Sequence, residues 1–561
     1  MKHEISKQRM RRVHLWRRNR KNKEQVPFRN GTLLASIYLV ITILTAIGLE
    51  FVSHLFTEIP THEDIPYVLG CDLVILSIAA YCARLLLGRL APEVIARNSR
   101  ILMLCLVAVF ENSLHTAVLC LASKALPLLT FLPDGFSPQD FVPPLIPYLF
   151  APALCTLLAG PGVGIAMGIA LAIQNLIFVG SGSGFQAVAV GSVISLAAPL
   201  CLAGVRNRTG LYRNLFLIGL LQLLGILIHA FLWCIEKPQI ADLGLGQSLR
   251  IAAEADAILT VVSIAVASVA VTLLLPIFEH VFGVSSNLRL TQYGDLGHPL
   301  LTRLQREASG TANHSQNVAI MAADAAERIG ANVTLARVGS YYHDVGKVLA
   351  PQRFTENQGE GTVNPHDSQR PSMSALVIAA HVKDGLGFAK DFHLPIPIRD
   401  IIVQHHGTTR MEYFYRKALE QEAIRAEATG EDPRPIDESQ FRYGGPKPQT
   451  AEAVIVMLAD SIEAAAKSNK VFTPGGIEKL VEKIVADKIA DGQLDEAPVT
   501  LGDIVELKKS FTASLTTIHR GRIAYPKADP EKDGKNQESD KETPPHDENT
   551  ERRDATPEAR P

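Results

Sequence analysis

A chain of 561 residues, 47% of them hydrophobic, with a formal net charge of −2 has room for two or more folded units, and its charge balance gives no argument for a nucleic-acid polymer as partner. The seven cysteines (Cys71, Cys82, Cys105, Cys120, Cys155, Cys201, Cys234) all lie in the apolar part of the chain without a CxxC spacing. They imply neither a disulfide framework nor a thiolate zinc site.

The near-neutral total conceals regions of different character. Residues 1–30 form a basic segment with eleven Lys/Arg against two acids, and residues 31–283 are mostly apolar. A membrane-spanning helix needs about 20 apolar residues. Eight stretches meet or approach that length: roughly 31–56, 67–90, 99–122, 144–159, 162–180, 185–205, 214–235 and 255–281. The first is too long for a signal peptide and lacks a small-residue cleavage site, which predicts a retained anchor. Orientation follows the Lys/Arg near helix ends. The basic N-terminus, the segment with Arg84, Arg89, Arg97 and Arg100, and the segment with Arg206, Arg208 and Arg213 share the cytoplasmic side, whereas the alternate connections at 58–64 and 134–136 carry no base. An even number of spans returns the C-terminal half to the cytoplasm. Asp72, Glu111, His115, Gln174 and Asn175 put polar groups inside the spans. Such groups are candidates for a ligand pocket or a relay; pairing with neighbouring helices is the plainer reading.

From about residue 285 the pattern changes to that of a soluble domain, set at residues 290–525. The stretches 312–330 and 451–468 space their apolar residues at three and four, with abundant Ala and no alternation, so an all-helical domain is expected. The fold class is therefore all-α: a polytopic membrane bundle followed by a soluble helical domain. Breaks are predicted at Gly330, around 359–361, at Pro395 and Pro397, through 428–449, and at Pro474-Gly475-Gly476. Residues 526–561 are acidic, proline-containing and poor in hydrophobes, which predicts disorder.

Within this domain stand His314, His343-Asp344, His381, His405-His406 and Asp460. Imidazole nitrogens and carboxylate oxygens suit Mn, Fe and Zn, and one carboxylate can bridge two ions. Taken singly, each His is more often a cap or a satisfied polar group. The doublets argue otherwise, because an acid beside an imidazole, or two imidazoles at the end of an apolar run, would be costly to bury without a cation.

The His343-Asp344 doublet resembles the signature of HD-domain phosphohydrolases, in which an upstream His, the His-Asp pair and a distant Asp form the basic metal site. Ligands at His381 and His405-His406 resemble those of two-metal members. More closely, the stretches Asn313-His314-Ser315, Tyr342 to Lys347, Glu356-Asn357-Gln358, Asn364 to Asp367, Gln404 to Thr408, Gly445 to Thr450 and Met457 to Ser461 are similar to the seven-transmembrane HD family of bacterial cyclic di-AMP phosphodiesterases. The resemblance is dense over residues 300–520. It implies a multi-pass protein of the bacterial cell membrane, with N-terminus and HD domain cytoplasmic. The implied substrate is a cyclic dinucleotide, and the implied cofactors are two divalent transition metal ions, Mn or Fe. On this reading Asp344 bridges both ions, His314, His343 and Asp460 complete one site, and His381, His405 and His406 complete the other. A metal-activated hydroxide would attack the phosphodiester and yield linear 5′-pApA. Asp344, His343 and Lys347 form the expected catalytic set; a homodimer is compatible with the reading. One departure concerns the large extracytoplasmic domain that family members commonly carry after the first anchor, since here about ten residues separate the first two spans.

Lys347 lies three residues after Asp344 and is a candidate for contacting a substrate phosphate, with a solvated lysine as the alternative. His366 is expected to serve loop structure. Tyr415 is a candidate for stacking on a base, or for packing. Two rival functions remain at this point. A cyclic di-GMP phosphodiesterase of the HD-GYP type shares the ligand order, but no Gly-Tyr-Pro motif follows His406. A membrane receptor with a non-catalytic, nucleotide-binding HD domain would be favoured by a missing ligand, and none is missing.

Overall fold

The structure, a computed structural model, describes residues 31–56, 65–125 except 96, 145–178, 193–236 except 195, 245–469 except 360, and 473–520. The expectations for the basic segment 1–30 and the acidic tail 526–561 fall outside the described residues, as do the side chains of Asp72 and Asn175. Among the described residues there is no β-strand, only an isolated antiparallel bridge between Arg410 and Arg442.

The apolar stretches form α1 (Gly31–Phe56), α2 (Ile65–Leu90), α3 (Asn98–Ala125), α4 (Phe150–Ala159), α5 (Pro161–Phe178), α6 (Arg208–Glu236) and α7 (Leu245–Phe282). Three segments among the described residues are long and apolar enough to cross a membrane: Leu73–Leu90, Asn98–Val118 and Leu249–Phe282. The stretch expected at 144–159 is different. Its helix α4 has ten residues, so it rises about 15 Å against a hydrocarbon thickness of about 30 Å. Every residue from Phe150 to Leu158 is buried, which makes α4 a core element of the bundle. It packs along α5 and α7, and its Leu149, Leu154 and Cys155 join Met103, Ile218 and Ala267 in one apolar cluster. Of the described residues in the stretch expected at 185–205, 193–194 and 196–202 are helical. Helix α7 begins ten residues earlier than its expected start at 255 and carries Pro276 inside, as membrane helices tolerate when neighbours re-satisfy the backbone.

The polar residues of the spans are paired as the plainer reading predicts. Glu111 Oε1 lies 3.0 Å from His115 Nε2, and its Oε2 accepts from Ala151 N at 3.0 Å. Gln174 Nε2 donates to Asn112 Oδ1 at 2.6 Å.

A short helix, α8 (Asn287–Tyr293), links the two halves. Ser286 caps it by accepting from Arg289 N at 3.3 Å, which satisfies an orphan first-turn donor. Leu288 packs in the cluster of the membrane half and Leu290 in that of the C-terminal half. The latter half comprises α9 (Pro299–Glu307), α10 (Ser309–Arg328), α11 (Val333–Tyr342), a 3₁₀ turn Val345–Leu349, α12 (Pro371–Asp391), α13 (Ile396–Gln404), α14 (Glu412–Thr429), α15 (Ala451–Asn469), α16 (Pro474–Ala490) and α17 (Leu501–Arg520). The breaks largely follow the turn residues. Asn332 caps α11 at 3.0 Å from Leu335 N, and Pro395 precedes α13. The tripeptide at 474–476 departs from expectation: Pro474 occupies the first position of α16, where its missing N–H costs nothing. The break falls just ahead of it.

Helix α15 is the centre of this domain. Residues 453–459 are buried on every face, packed against α10, α11, α13 and α16, as an all-round apolar helix must be. This burial delivers Asp460 to the interior.

Candidate metal centre

The seven singled-out side chains come from six elements. His314 projects from α10 and Asp460 from α15. His343 caps the end of α11, and Asp344 opens the 3₁₀ turn. His381 lies on α12, while His405 and His406 follow the last residue of α13. Two groups result: His314, His343, Asp344 and Asp460; and Asp344, His381, His405 and His406. In each, the potential ligand atoms lie within 4.8 Å of one another.

Asp344 belongs to both groups through different oxygens. Oδ2 is 3.1 Å from His343 Nε2 and 3.8 Å from His314 Nε2; Oδ1 is 3.2 Å from His381 Nε2 and 3.7 Å from His405 Nε2. Asp460 also divides its oxygens, with Oδ1 3.0 Å from His314 Nε2 and Oδ2 3.5 Å from His406 Nδ1. The close packing depends on Gly346, where a Cβ would collide with the carbonyl of His381. Gly407, at φ +53, lets the chain turn directly after the His405-His406 pair.

Three ring nitrogens are engaged by carbonyls three residues upstream: His343 Nδ1 with Ser340 O at 2.6 Å, His381 Nδ1 with Ile378 O at 2.6 Å, and His405 Nδ1 with Ile402 O at 2.9 Å. A carbonyl only accepts, so each Nδ1 carries a proton and each Nε2 is the ring atom turned to the centre. His314 is oriented differently. Its Nδ1 lies 2.5 Å from Glu463 Oε2, and Asn317 Nδ2 donates to the other Glu463 oxygen at 3.1 Å. Glu463 was not singled out from the sequence. Its signal was present, since it follows Asp460 by one helical turn and shares its face.

Burial and charge divide the centre. His343, His405, Asp344 and His381 are at most 2% exposed. Burial alone would raise the Asp344 carboxyl, but Lys347, His343 and His381 outweigh it and hold it well below the usual carboxylate range. Burial would likewise lower His343 and His314; Asp344 and Asp460 push the first up to about 10, and Asp460 and Glu463 push the second up to about 9. On the other side, burial together with His343 and His381 lowers His405 to about 3, and burial with His405 lowers His406 well below its ordinary value. The second pair is therefore neutral, the form in which imidazole ligates a metal. Two inaccessible atoms at the heart of the cluster, His343 Nε2 and Asp344 Oδ1, lack a hydrogen-bond partner. An unsatisfied carboxylate oxygen and neutral imidazoles in one buried place fit a cation.

Lys347 is bound in place. Its Nζ is 2.7 Å from Asp344 Oδ2 and 2.8 Å from Glu356 Oε1, and it lies 4.9 Å from the centre of the Phe354 ring. The segment is 3₁₀ helix, in which residues i and i+3 eclipse; hence the lysine stands directly over Asp344. His366 is apart from the cluster, with Nε2 2.9 Å from Arg353 O and its ring against Phe414. Tyr415 packs on Phe441 beneath Arg410. An aromatic that does reach the centre is Tyr443, stacked on His406 at 4.1 Å between ring centroids. Nothing in its sequence neighbourhood marked it. The pairing of 409–411 with 441–443, including Tyr443 N to Thr409 O at 3.1 Å, brings it there.

Comparison with known proteins adds an independent line. Residues 66–286 match the family described as 7TM receptor with intracellular HD hydrolase, and residues 311–465 match the HD domain. The cyclic-di-AMP phosphodiesterase PgpH of Listeria monocytogenes is 42% identical over 252 residues, 45% of this chain and 33% of that protein. PgpH of Bacillus subtilis is 42% identical over 268 residues, 48% of this chain and 36% of that protein. An uncharacterized protein of Synechocystis is 39% identical over 254 residues, 45% of this chain and 30% of that protein. The chain thus spans about a third of the length of these curated relatives. A crystal structure of the L. monocytogenes PgpH HD domain in complex with cyclic-di-AMP has 42% identity and a TM-score of 0.37, covering 40% of this chain and 99% of that one.

Proposed function

We propose, from the match of residues 66–286 to the family described as 7TM receptor with intracellular HD hydrolase and of residues 311–465 to the HD domain, that the chain is a membrane-bound phosphodiesterase of that family, hydrolysing cyclic di-AMP to linear 5′-pApA. The multi-pass membrane half, 31–283, would hold the HD domain, 290–525, at the cytoplasmic face. The observation that carries this reading is the pair of His/Asp groups sharing Asp344, in a domain 42% identical to two proteins named cyclic-di-AMP phosphodiesterases.

The ligand sets proposed are His314, His343, Asp344 and Asp460 for one ion and Asp344, His381, His405 and His406 for the other, with Mn or Fe as the ions. When bound, two such ions supply Lewis-acid charge to a phosphodiester and make a water acidic enough to attack it. The chain's own groups set the geometry. Asp344 gives one oxygen to each group and so fixes their separation. The carbonyls of Ser340, Ile378 and Ile402 keep the Nε2 atoms of His343, His381 and His405 turned toward Asp344. Lys347 already stands at Asp344 between two carboxylates, where its ammonium can balance a phosphoryl oxygen as charge develops. Tyr443, stacked on His406, shields that flank from water.

The test is hydrolysis of cyclic di-AMP and cyclic di-GMP side by side by the purified protein with Mn or Fe. Preferential turnover of cyclic di-AMP to 5′-pApA is expected. Preference for cyclic di-GMP would replace the substrate, and binding without turnover in metal-loaded protein would make the domain a receptor module.

A further inference from the structure

The membrane half contains a second place built to hold a molecule, remote from the His/Asp cluster. Helix α1 packs along α3 and α2 packs along α5, while these two pairs meet each other far less closely. Between them lies a cavity of about 590 Å³, within the size range of small-molecule sites. Its middle is walled by alanines, among them Ala46, Ala79, Ala83, Ala108 and Ala170, and by Leu104 and Leu171. The small side chains leave the space unfilled.

The ends of the cavity differ. Arg84 near the end of α2, Asn98 at the start of α3 and Ser36 near the start of α1 all line it, and the chain order of these helices puts the three at one end. Arg84 has no ion pair among the described residues. At the other end stands Gln174, whose amide is already committed to Asn112 at 2.6 Å. From Asn98 to Ala108 along α3 the space runs about 15 Å. The cavity is therefore an apolar slot with one cationic, hydrogen-bonding mouth.

We infer that this slot binds a single-chain anionic amphiphile, a long-chain fatty acid, with its carboxylate at Arg84 and Asn98 and its alkyl chain between the alanine-lined helices. One cation at the mouth matches one carboxylate, and the alanine-lined run of about 15 Å along α3 takes an alkyl chain lengthwise. The bilayer is as apolar as the slot, so burial of the chain gives little net drive between helices and lipid. Selectivity must reside in the charged mouth and in the width of the slot. Arg suits this role because its planar guanidinium pairs with a carboxylate through two parallel bonds. This site is independent of the phosphodiesterase reading.

The experiment uses the full chain in phosphatidylcholine nanodiscs with a diazirine-bearing palmitate as probe. Saturable labelling is expected in peptides covering residues 36–46 and 98–108, competed by unlabelled palmitate. Ala83→Phe, which fills the slot, should reduce labelling at least tenfold. Arg84→Gln should raise the half-saturating concentration about tenfold, and it serves as the deciding variant if Ala83→Phe fails to fold. Unsaturable labelling, labelling unchanged in a folded Ala83→Phe protein, or half-saturation unchanged in Arg84→Gln would each overturn the proposal. So would saturable labelling by a diazirine phosphatidylglycerol with none by palmitate.

Discussion

Asp344 is the residue on which the centre depends, because its two oxygens serve two different histidine sets. Replacing it by Ala should lower turnover by at least about 10²–10³-fold while leaving the far-ultraviolet helical signal intact; turnover within tenfold of the parent would dismiss the shared role. Glu463 acts one layer back, orienting His314 through its Nδ1. Glu463→Gln keeps the shape and removes the charge, and metal affinity should fall about 10–100-fold, read by titration of metal-stripped protein. Protonation adds a further prediction. In the metal-free chain His343 and His314 are raised to about 10 and about 9, so both are charged at neutral pH and must lose a proton when an ion binds. Calorimetry in buffers of different ionisation enthalpy should detect proton release, with affinity falling as pH falls. The sign for stability is the reverse. These two raised groups favour the metal-free fold below about pH 6.5, the ordinary His value, and their contribution disappears as pH climbs through 9 and 10. The melting midpoint of chelator-treated protein should therefore drop over that interval, and a flat profile would contradict the assignment.

Among the elements, the 3₁₀ turn and α8 matter most. The turn brings Gly346 against the carbonyl of His381, so Gly346→Ala must displace α12 and with it His381. Loss of most metal binding is expected, at a stability cost of about 1–3 kcal/mol; native-like metal affinity in that variant would show that the turn can yield. Helix α8 connects the halves. Leu288 and Leu290 belong to different cores, and the Tyr342 hydroxyl donates to Tyr293 O at 2.8 Å. Tyr342 immediately precedes His343, so a displacement of α8 has a direct path to the centre. Helix α4 shows why apolar length is an incomplete guide. Ten residues, nine of them buried, have the composition of a span and the length of a core helix.

At the scale of the whole molecule, the near-neutral chain is a membrane bundle joined to a helical domain. The Lys/Arg distribution near helix ends predicts which side that domain faces. A reporter fused at the C-terminus should read as cytoplasmic; an outside reading would invert the proposed topology. The His/Asp groups lie in one half and the alanine-lined slot in the other, with α8 between them.

How much of this was legible in the sequence follows from the range of the forces involved. Hydrophobic periodicity and apolar length are local, so α1, α2, α3, α10 and α15 were readable within a few residues, and the turn residues at Gly330 and Pro395 marked real breaks. The seven His and Asp positions were also readable, since doublets such as His343-Asp344 and His405-His406 are costly to bury without a purpose. What the sequence could not contain is relative placement. Glu463 behind His314, Tyr443 on His406, Lys347 held between Asp344 and Glu356, and the partition of the Asp344 oxygens between two groups all join residues distant in the chain or depend on local geometry. These are decided by packing, which selects one arrangement of side chains among many that the same residue types permit. The amino-acid sequence by itself determined the helical class, the apolar and polar halves and the inventory of metal-suited groups; tertiary structure decided which atoms meet, because directional contacts form only once the helices have chosen their neighbours.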